Sequence, residues 1–523
     1  MSENEHIAKA AGIVGGATLL SRILGLVRDL VTAYFFGAGP AADAFFVAFR
    51  IPNLLRRLLA EGALTVSFIP VFTEYLKVRG RDEAFQVFRA VLTLLSLVLA
   101  AVTVLGVLLS PYLVLVFAPG FSDDPDKFAL TVLLTRIMFP YIFLVGLVAL
   151  AMGVLNSLGR FAAPALSPVL LNVGMIACTL VLAEHFDPPI LALAIGVLIG
   201  GILQVLLQVP YLVREGPLLG LSFRFKHPAI LRIVSLMGPA ALGAAAYQIA
   251  MFVTTLLASF LPSGSVSYLY YADRIMQFPL GVFAVALGTA VLPSMSRQAA
   301  DRDMDGLGQS LSFALRLVFF ITLPAMVGLI VLAVPLVELF FQRGRFSPQD
   351  TLLTAQALIA YALGLWALSG VQIAVRVFYS LQDTRTPVKI AMISLASTVA
   401  LSLVLMFPFR HVGLALASSG GSIVNLALLV IVLRRRLGHI DGRRVVRSVG
   451  LNLGCSAVMA AVVWLIVAGH DPTLGKSLWH LAGRTVGAVL AGAAVYSLLA
   501  FFCRSPEIKA LLRLFRRRGR AAS

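Results

Sequence analysis

The chain has 523 residues, of which 59% are hydrophobic and only 13% are charged, and its formal net charge is +18. A water-soluble domain of this length does not bury so much apolar surface, so the composition excludes a soluble protein and predicts one that is solvated by lipid. The positive charge would indicate nucleic-acid binding in a soluble protein, but in a membrane protein it indicates which side of the bilayer the loops face.

Apolar runs of about 20 residues or more, the length needed to cross the hydrocarbon core, recur along the whole chain. The first six lie near residues 11–36, 41–75, 88–117, 128–155, 163–184 and 189–213. A second series lies near residues 230–260, 266–296, 308–341, 351–381, 387–408 and 412–433, and two more runs lie near residues 446–469 and 477–503. We therefore predict an all-α, polytopic membrane protein with about 14 transmembrane helices.

The distribution of basic residues among the loops predicts the orientation. If the N-terminus is cytoplasmic, the loops and tails on that side hold 27 Lys and Arg, and the opposite loops hold five, namely Lys127, Arg343, Arg345, Arg410 and Lys476. The positive-inside rule then places both termini in the cytoplasm. The basic segments RRRLGHIDGRR and RLFRRRGR would face anionic lipid headgroups, so no nucleic-acid partner is expected.

Two pairs of prolines share one offset. Pro164 and Pro387 head apolar segments after similar loops, and the interval between them along the chain equals the interval between Pro70 and Pro293. The shared offset predicts two pseudosymmetric six-helix lobes of the same orientation, a design typical of transporters that alternate access around a site between the lobes. Two additional helices and a basic tail follow a charged linker that we expect few buried contacts to cross. The predicted regions are residues 1–228, 229–436 and 437–523.

Arginines inside the predicted spans are the main candidates for a binding site, because each costs about 2.5–3.5 kcal/mol at a helix centre. Ten arginines lie inside the predicted spans. Five of them lie in the first two spans: Arg22, Arg28, Arg50, Arg56 and Arg57. The acidic residues there are Asp29, Asp43 and Glu61. The excess of two positive charges predicts an anionic partner. The alternative is that some of these side chains reach the interface or form structural pairs, as Arg57 and Glu61 could at i, i+4.

Helix-breaking residues accompany these charges. Pro52 follows Arg50 closely, and Gly25 lies between the first two arginines, so both helices can be broken, as helices that line transport cavities commonly are. Arg50 therefore joins the candidate substrate-binding residues, and Asp43 joins the candidate acids of a gate or cavity lining. In the second half, Arg274 in YYADRIMQFPLG is the candidate cavity cation.

An enzyme is not expected. A membrane-embedded transferase or phosphatase would need positioned acid–base or metal groups, but the seven histidines lie in loops or near the ends of spans. The three cysteines show no ligand spacing, and a solvated outer loop explains the acidic run DDPD. The sequence thus predicts no catalytic residue, no metal site and no cofactor.

Three segments carry a family resemblance: SRILGLVRD, FFGAGPAADAFFVAFRIPNLLRRLLAEGAL and YYADRIMQFPLGVFAVALGTAVLPSMS. They resemble the MurJ (MviN) family of lipid II flippases, in the multidrug/oligosaccharidyl-lipid/polysaccharide exporter superfamily, and the resemblance extends over nearly the whole chain. It implies 14 helices, a cationic central cavity, and two C-terminal helices that form a groove for the polyprenyl tail. The implied function is translocation of lipid II, an undecaprenyl-pyrophosphate-linked peptidoglycan precursor, to the periplasmic leaflet of the bacterial inner membrane by alternating access.

The resemblance also assigns roles to residues. The positions that match the family's required cavity cations are Arg22, Arg28 and Arg274, with Arg56 as a further functional cation and Ser21 as a polar neighbour. Asp29 and Glu61 match its acidic gate or lining residues. The expected partners are lipid II and the membrane, with other cell-wall synthesis proteins as candidates, and the expected state is a monomer. A flippase for another polyprenyl-pyrophosphate-linked glycan is the alternative.

Overall fold

The computed structural model describes residues 3–56, 64–216, 220, 222–438, 440–470, 472 and 477–508, and for residues 3–11, 239–247, 282–283 and 285–286 it describes the backbone alone. The first ten α-helices are α1 Glu3–Phe36, α2 Pro40–Leu55, α3 Thr65–Val78, α4 Arg81–Leu108, α5 Ser110–Phe117, α6 Pro125–Met138, α7 Tyr141–Ser157, α8 Ala162–Leu182, α9 Leu191–Glu215 and α10 Pro228–Ser259. The remaining nine are α11 Ser265–Pro279, α12 Val285–Ala300, α13 Met304–Val331, α14 Ala333–Phe341, α15 Pro348–Ala362, α16 Leu365–Ser380, α17 Arg385–Leu437, α18 Gly442–Val467 and α19 Leu478–Phe502.

The helices follow the predicted apolar runs: most runs correspond to one helix or two consecutive helices, and the runs 387–408 and 412–433 together form α17. Among the described residues, eight helical segments, one of them α6 and α7 together, are long and apolar enough to cross a membrane, or nine if α15 and α16, bent by 41°, form one span. The prediction of an all-α, polytopic membrane fold is confirmed. The number of 14 spans stays a prediction.

The bounds of the helices repeat with the offset of the prolines. Helices α4 and α13 both begin and end at this offset from each other, and α14 and α15 begin at the same offset from α5 and α6. Pro125 and Pro348 open α6 and α15, at a helix position where the missing N–H of proline costs nothing. These bounds support the duplication that the sequence predicts.

The chain forms two compact units. The first comprises Met1–Ser267 with Arg343–Arg345, and the second comprises Tyr268–Gln342 with Phe346–Ser523. In the first unit, a buried aromatic cluster from α3 and α4 includes Phe68, Phe72 and Phe85, and it packs against α10 at Ile230. The lobe bounds predicted from the repeat, at residues 228 and 436, stay a prediction.

In the second unit, α17 is a helical hairpin. It bends at Arg410, whose φ of 50° lies in the left-handed region, and its two arms approach so closely that a Cβ on Gly413 would overlap the carbonyl oxygen of Leu405. The hydroxyl of Ser394 donates across the hairpin to the carbonyl of Gly421 at 2.7 Å. The predicted break between the segments 387–408 and 412–433 is thus confirmed.

Buried polar contacts join the C-terminal helices to α13. Glu507, 1% exposed, accepts hydrogen bonds from Arg316 of α13 at 3.2 Å and from Ser448 of α18 at 3.1 Å. The hydroxyl of Tyr496 donates to the carbonyl of Phe320 at 2.7 Å. The expectation that few buried contacts cross the linker was therefore wrong, because the polar groups of α13 find their partners beyond it.

Candidate functional site

The first candidate cluster lies on α1 and is centred on Arg28, which is 9% exposed. Its Nε and Nη2 donate to Oδ1 of Asp29 at 3.0 and 2.7 Å. Its Nη1 donates to the amide oxygen of Asn172 on α8 at 3.1 Å. A buried guanidinium needs both a balancing charge and filled hydrogen-bond sites. Here Asp29 supplies the charge and Asn172 fixes the orientation.

Asn172 was not among the predicted residues. Besides accepting from Arg28, it donates from Nδ2 to the backbone carbonyl of Ser21 at 3.2 Å, so it contacts α1 on both sides of Gly25. The signal in the sequence was a single amide in the apolar segment LSPVLLNVGMIAC, and a buried amide needs hydrogen-bond partners. Ser21 is half-buried and Arg22 is exposed. The structure thus brings Ser21, Arg28 and Asp29 together around a fourth residue.

The second cluster surrounds Asp43, in the first turn of α2. Its carboxylate, 1% exposed, accepts hydrogen bonds from the ammonium of Lys127 at 2.9 Å, from the backbone of Gly264 at 2.7 Å, and from the backbone and hydroxyl of Ser267 at 2.9 and 2.6 Å. The ammonium of Lys127 also lies 4.0 Å from the ring centre of Phe121. Asp43 therefore connects α2 and α6 to the turn that precedes α11.

Lys127 was expected in a solvated outer loop, and that expectation was wrong. Pro125 opens α6, and the side chain of Asp124 accepts from the backbone N–H of Lys127 at 3.1 Å, capping the helix. Lys127 consequently lies in the first turn of α6 and is only 7% exposed. Part of the acidic run DDPD acts as a helix cap, and the ion pair with Asp43 is buried.

The two described arginines at the C-terminal end of α2, Arg50 and Arg56, each donate a hydrogen bond to a neutral side chain. Arg50 is half-buried and donates from Nη1 to the hydroxyl of Thr255 on α10. Arg56, also half-buried, donates from Nε to the side chain of Asn53 at 2.8 Å. The predicted residues that lie outside the described part of the chain are Arg57 and Glu61.

Arg274 lies on α11 in the second unit. It is half-buried, and its guanidinium carbon is 6.0 Å from the ring centre of Tyr270. The neighbouring Asp273 accepts a hydrogen bond from Gln277, one turn further along the helix. A guanidinium beside an aromatic face can bind an anion through its fork of N–H groups while the ring supports the cation.

The chemistry of these groups favours binding over catalysis. Arginine forks bind phosphate through short, charge-assisted hydrogen bonds. Among the described residues, no group of three or more His, Cys, Asp or Glu side chains could hold a metal ion.

The comparisons with known proteins identify the family. The profile of the lipid II flippase MurJ matches residues 32–479 of the chain. A protein of Vibrio cholerae named probable lipid II flippase MurJ is 37% identical over 520 residues, which cover 97% of this chain and 98% of the relative. The lipid II flippase MurJ of Burkholderia cenocepacia is 40% identical over 435 residues, which cover 82% and 84% of the two chains.

Solved structures agree with these matches. A lipid II flippase MurJ in an inward closed conformation superposes with a TM-score of 0.79 at 28% identity, covering 94% of this chain and 98% of that one. An inward-facing multidrug resistance transporter of the MATE family, in the MOP superfamily, gives a TM-score of 0.67 at 16% identity over 81% and 96% of the chains, which shows the fold alone. The chain therefore belongs to the MurJ family of lipid II flippases.

Proposed function

We propose that the chain carries lipid II across the bacterial inner membrane and that Arg28, oriented by Asp29 and Asn172, binds the diphosphate of its headgroup. Membership of a family of lipid II flippases supports the substrate, and it makes the chain a transporter and not an enzyme. The observation that carries the binding role is the buried guanidinium of Arg28, which bonds to a carboxylate along one edge and to a neutral amide at Nη1.

The two partners of Arg28 differ in how readily a phosphate replaces them. A guanidinium bonds more strongly to a charged oxygen than to a neutral amide oxygen, so a diphosphate oxygen displaces the amide of Asn172 and leaves the pair with Asp29 in place. Before the substrate arrives, Asn172 keeps the guanidinium in the geometry that the phosphate needs. This pre-orientation removes part of the entropic cost of binding.

The transport cycle then follows from charge. Arg22, Arg28 and Arg274 match the family's cavity arginines, and their positive charges favour an anionic substrate. A substrate that binds one conformation more tightly shifts the population towards it. Binding of the diphosphate thereby favours closure, and its release on the other side resets the carrier.

Orientation and oligomeric state belong to the same proposal. The loops assigned to the cytoplasm hold 27 basic residues against five in the others, which supports cytoplasmic termini. One chain contains both repeated halves, which supports a monomer as the working unit. Other proteins of cell-wall synthesis remain candidate partners.

A flipping assay with purified full-length protein in vesicles tests the proposal. Arg28→Ala should abolish lipid II flipping, and Arg28→Lys should restore little of it, because an ammonium lacks the planar fork that binds phosphate. The matched control is Arg136→Ala, which removes an arginine of α6 that donates to Ser110 at 3.0 Å. Normal flipping by Arg28→Ala would contradict the binding role. Equal flipping of lipid II and of a polyprenyl-pyrophosphate lipid bearing a different glycan would contradict selectivity for lipid II.

A further inference from the structure

A polar cavity of about 320 Å³ lies at one end of the second unit, where α12, α13 and the start of α18 meet. The residues of its wall that matter here are Gln298, Gln309, Ser312, Phe313, Arg316 and Arg444. None of them belongs to the candidate clusters on α1, α2 and α11. The cavity therefore requires an explanation separate from the binding of lipid II.

Three buried polar atoms of the wall have no hydrogen-bond partner in the described structure: the hydroxyl of Ser312, Nε of Arg316 and the amide oxygen of Gln298. Ser312 is 2% exposed. Buried polar groups in folded proteins are nearly always satisfied, and an unsatisfied one is costly. Each of these atoms belongs to a residue that lines the cavity, so an occupant towards which the side chains turn would satisfy two donors and one acceptor.

The cavity lies towards the start of a helix that is long and apolar enough to cross a membrane. Helix α13 has 28 residues and is about 42 Å long, whereas the hydrocarbon core is about 30 Å thick. Residues 309–316 belong to the first half of this helix, and Arg444 lies in the first turn of α18. Phe313, at the rim, is 39% exposed, as a side chain in contact with an acyl chain would be.

The charges of the wall are balanced. Arg316 pairs with Glu507 at 3.2 Å, and Arg444 pairs with Asp441 at 3.0 Å. Net charge therefore does not attract a ligand strongly here. A ligand must therefore be selected by the hydrogen-bonding groups of the wall. These are donors at Ser312 and the two arginines and an acceptor at Gln298.

We propose that this cavity binds the headgroup of a membrane phospholipid. The phosphodiester lies against Arg316, Arg444 and Ser312, and the terminal ammonium or hydroxyl of the headgroup donates to the amide oxygen of Gln298. Phosphatidylethanolamine and phosphatidylglycerol carry such a donor. Phosphatidylcholine does not, because its nitrogen is fully methylated, so it leaves Gln298 without a partner.

The test is native mass spectrometry of the full-length protein released from phosphatidylcholine bilayers that contain a few per cent of a second phospholipid. Phosphatidylethanolamine and phosphatidylglycerol should be retained in preference to phosphatidylcholine. Ser312→Ala and Arg444→Gln should each weaken this retention on the order of tenfold, the effect of one lost hydrogen bond to a buried or charged group. Gln298→Met should remove the preference over phosphatidylcholine.

The matched control is Arg447→Gln, which removes the same charge from an exposed site one turn further along α18, outside the cavity wall. Equal losses in Arg444→Gln and Arg447→Gln would overturn the proposal in favour of diffuse electrostatic attraction. Retention of phosphatidylcholine equal to that of the other lipids would also overturn it. Displacement of the lipid by an equal concentration of glycerol 3-phosphate would show that the site takes a soluble phosphate ester instead. Arg444 is 72% exposed, so its variant should fold even if Ser312→Ala does not.

Discussion

Asn172 on α8 accepts a hydrogen bond of 3.1 Å from Arg28 on α1, across 144 residues of sequence. Replacing Asn172 with Leu removes this acceptor and leaves a buried guanidinium partly unsatisfied, at a cost of about 1.5–3 kcal/mol for a hydrogen bond to a charged group. Lipid II flipping by the reconstituted variant should fall by about tenfold or more, and so should affinity for a short-chain pyrophosphate lipid.

The control for this substitution is Gln208→Leu. Gln208 is also a buried amide of the first unit, 1% exposed, but neither of its polar atoms has a hydrogen-bond partner in the described structure. Flipping by this variant should stay near the wild-type rate. If both variants lose the same activity, a general packing defect explains Asn172→Leu, and the positioning role is wrong.

The buried pair of Lys127 and Asp43 predicts a large effect on stability. Asp43→Ala leaves the ammonium of Lys127, 7% exposed, without its carboxylate partner, and breaking a buried ion pair in this way costs about 3–5 kcal/mol. Chemical unfolding of the detergent-solubilised protein should show the loss. The double variant Asp43→Leu/Lys127→Met should recover much of it, because it leaves neither charge buried alone. Unchanged stability of Asp43→Ala would contradict the pairing.

Asp383, in the loop between α16 and α17, predicts a dependence on pH. Hydrogen bonds from Thr386, followed by the ion pair with Arg436, hold the pKa of this carboxyl well below its usual range. A depressed pKa contributes stability at pH values above the unfolded pKa of about 3.9, and the contribution is lost as the pH falls through the folded pKa. Thr386→Val should therefore destabilise the start of α17 at pH 7, and this difference from wild type should shrink only well below the unfolded pKa, as the pH approaches the depressed folded pKa.

Hydrogen exchange of the backbone amides near residue 386 would show this change. It would be measured from pH 7 down to about pH 2 and corrected for intrinsic exchange rates. Thr384→Val is the matched control, because Thr384 makes no side-chain capping hydrogen bond to α17. A difference between Thr386→Val and wild type that stays the same from pH 7 down to about pH 2 would show that Asp383 is not the titrating group.

The contacts of Glu507 predict the effect of removing the C-terminal helices. A chain that ends at Arg436 lacks Glu507 and leaves Arg316, a half-buried residue of α13, without its carboxylate partner. Resistance of the second unit to proteolysis in detergent should fall, and Arg316→Met in the truncated chain should restore part of it. Equal resistance of the truncated and full-length chains would show that the two helices are dispensable for folding.

The sequence by itself determined the membrane class, the places of the helices and the repeat, because the length of an apolar run is a local property. One ion pair near the end of each half also begins at equivalent positions of the repeat. Arg160 pairs with Glu215 at 2.8 Å, and Asp383, which occupies the position equivalent to Arg160 in the second half, pairs with Arg436 at 2.6 Å. The charge at this position is reversed between the halves, and its partner became known only from the tertiary structure.

Within the candidate site, the sequence found Arg28 and Asp29, since neighbouring charges in an apolar span are conspicuous. Only the tertiary structure decided what completes the two clusters. Asn172 reaches Arg28 across 144 residues, and Lys127 reaches Asp43 across 84 residues. Such pairs depend on which helix faces pack together, and packing is set by the shapes of many side chains at once. A polar residue in an apolar run indicates that a hydrogen-bond or ion-pair partner is needed. Which residue is that partner depends on how the helices pack.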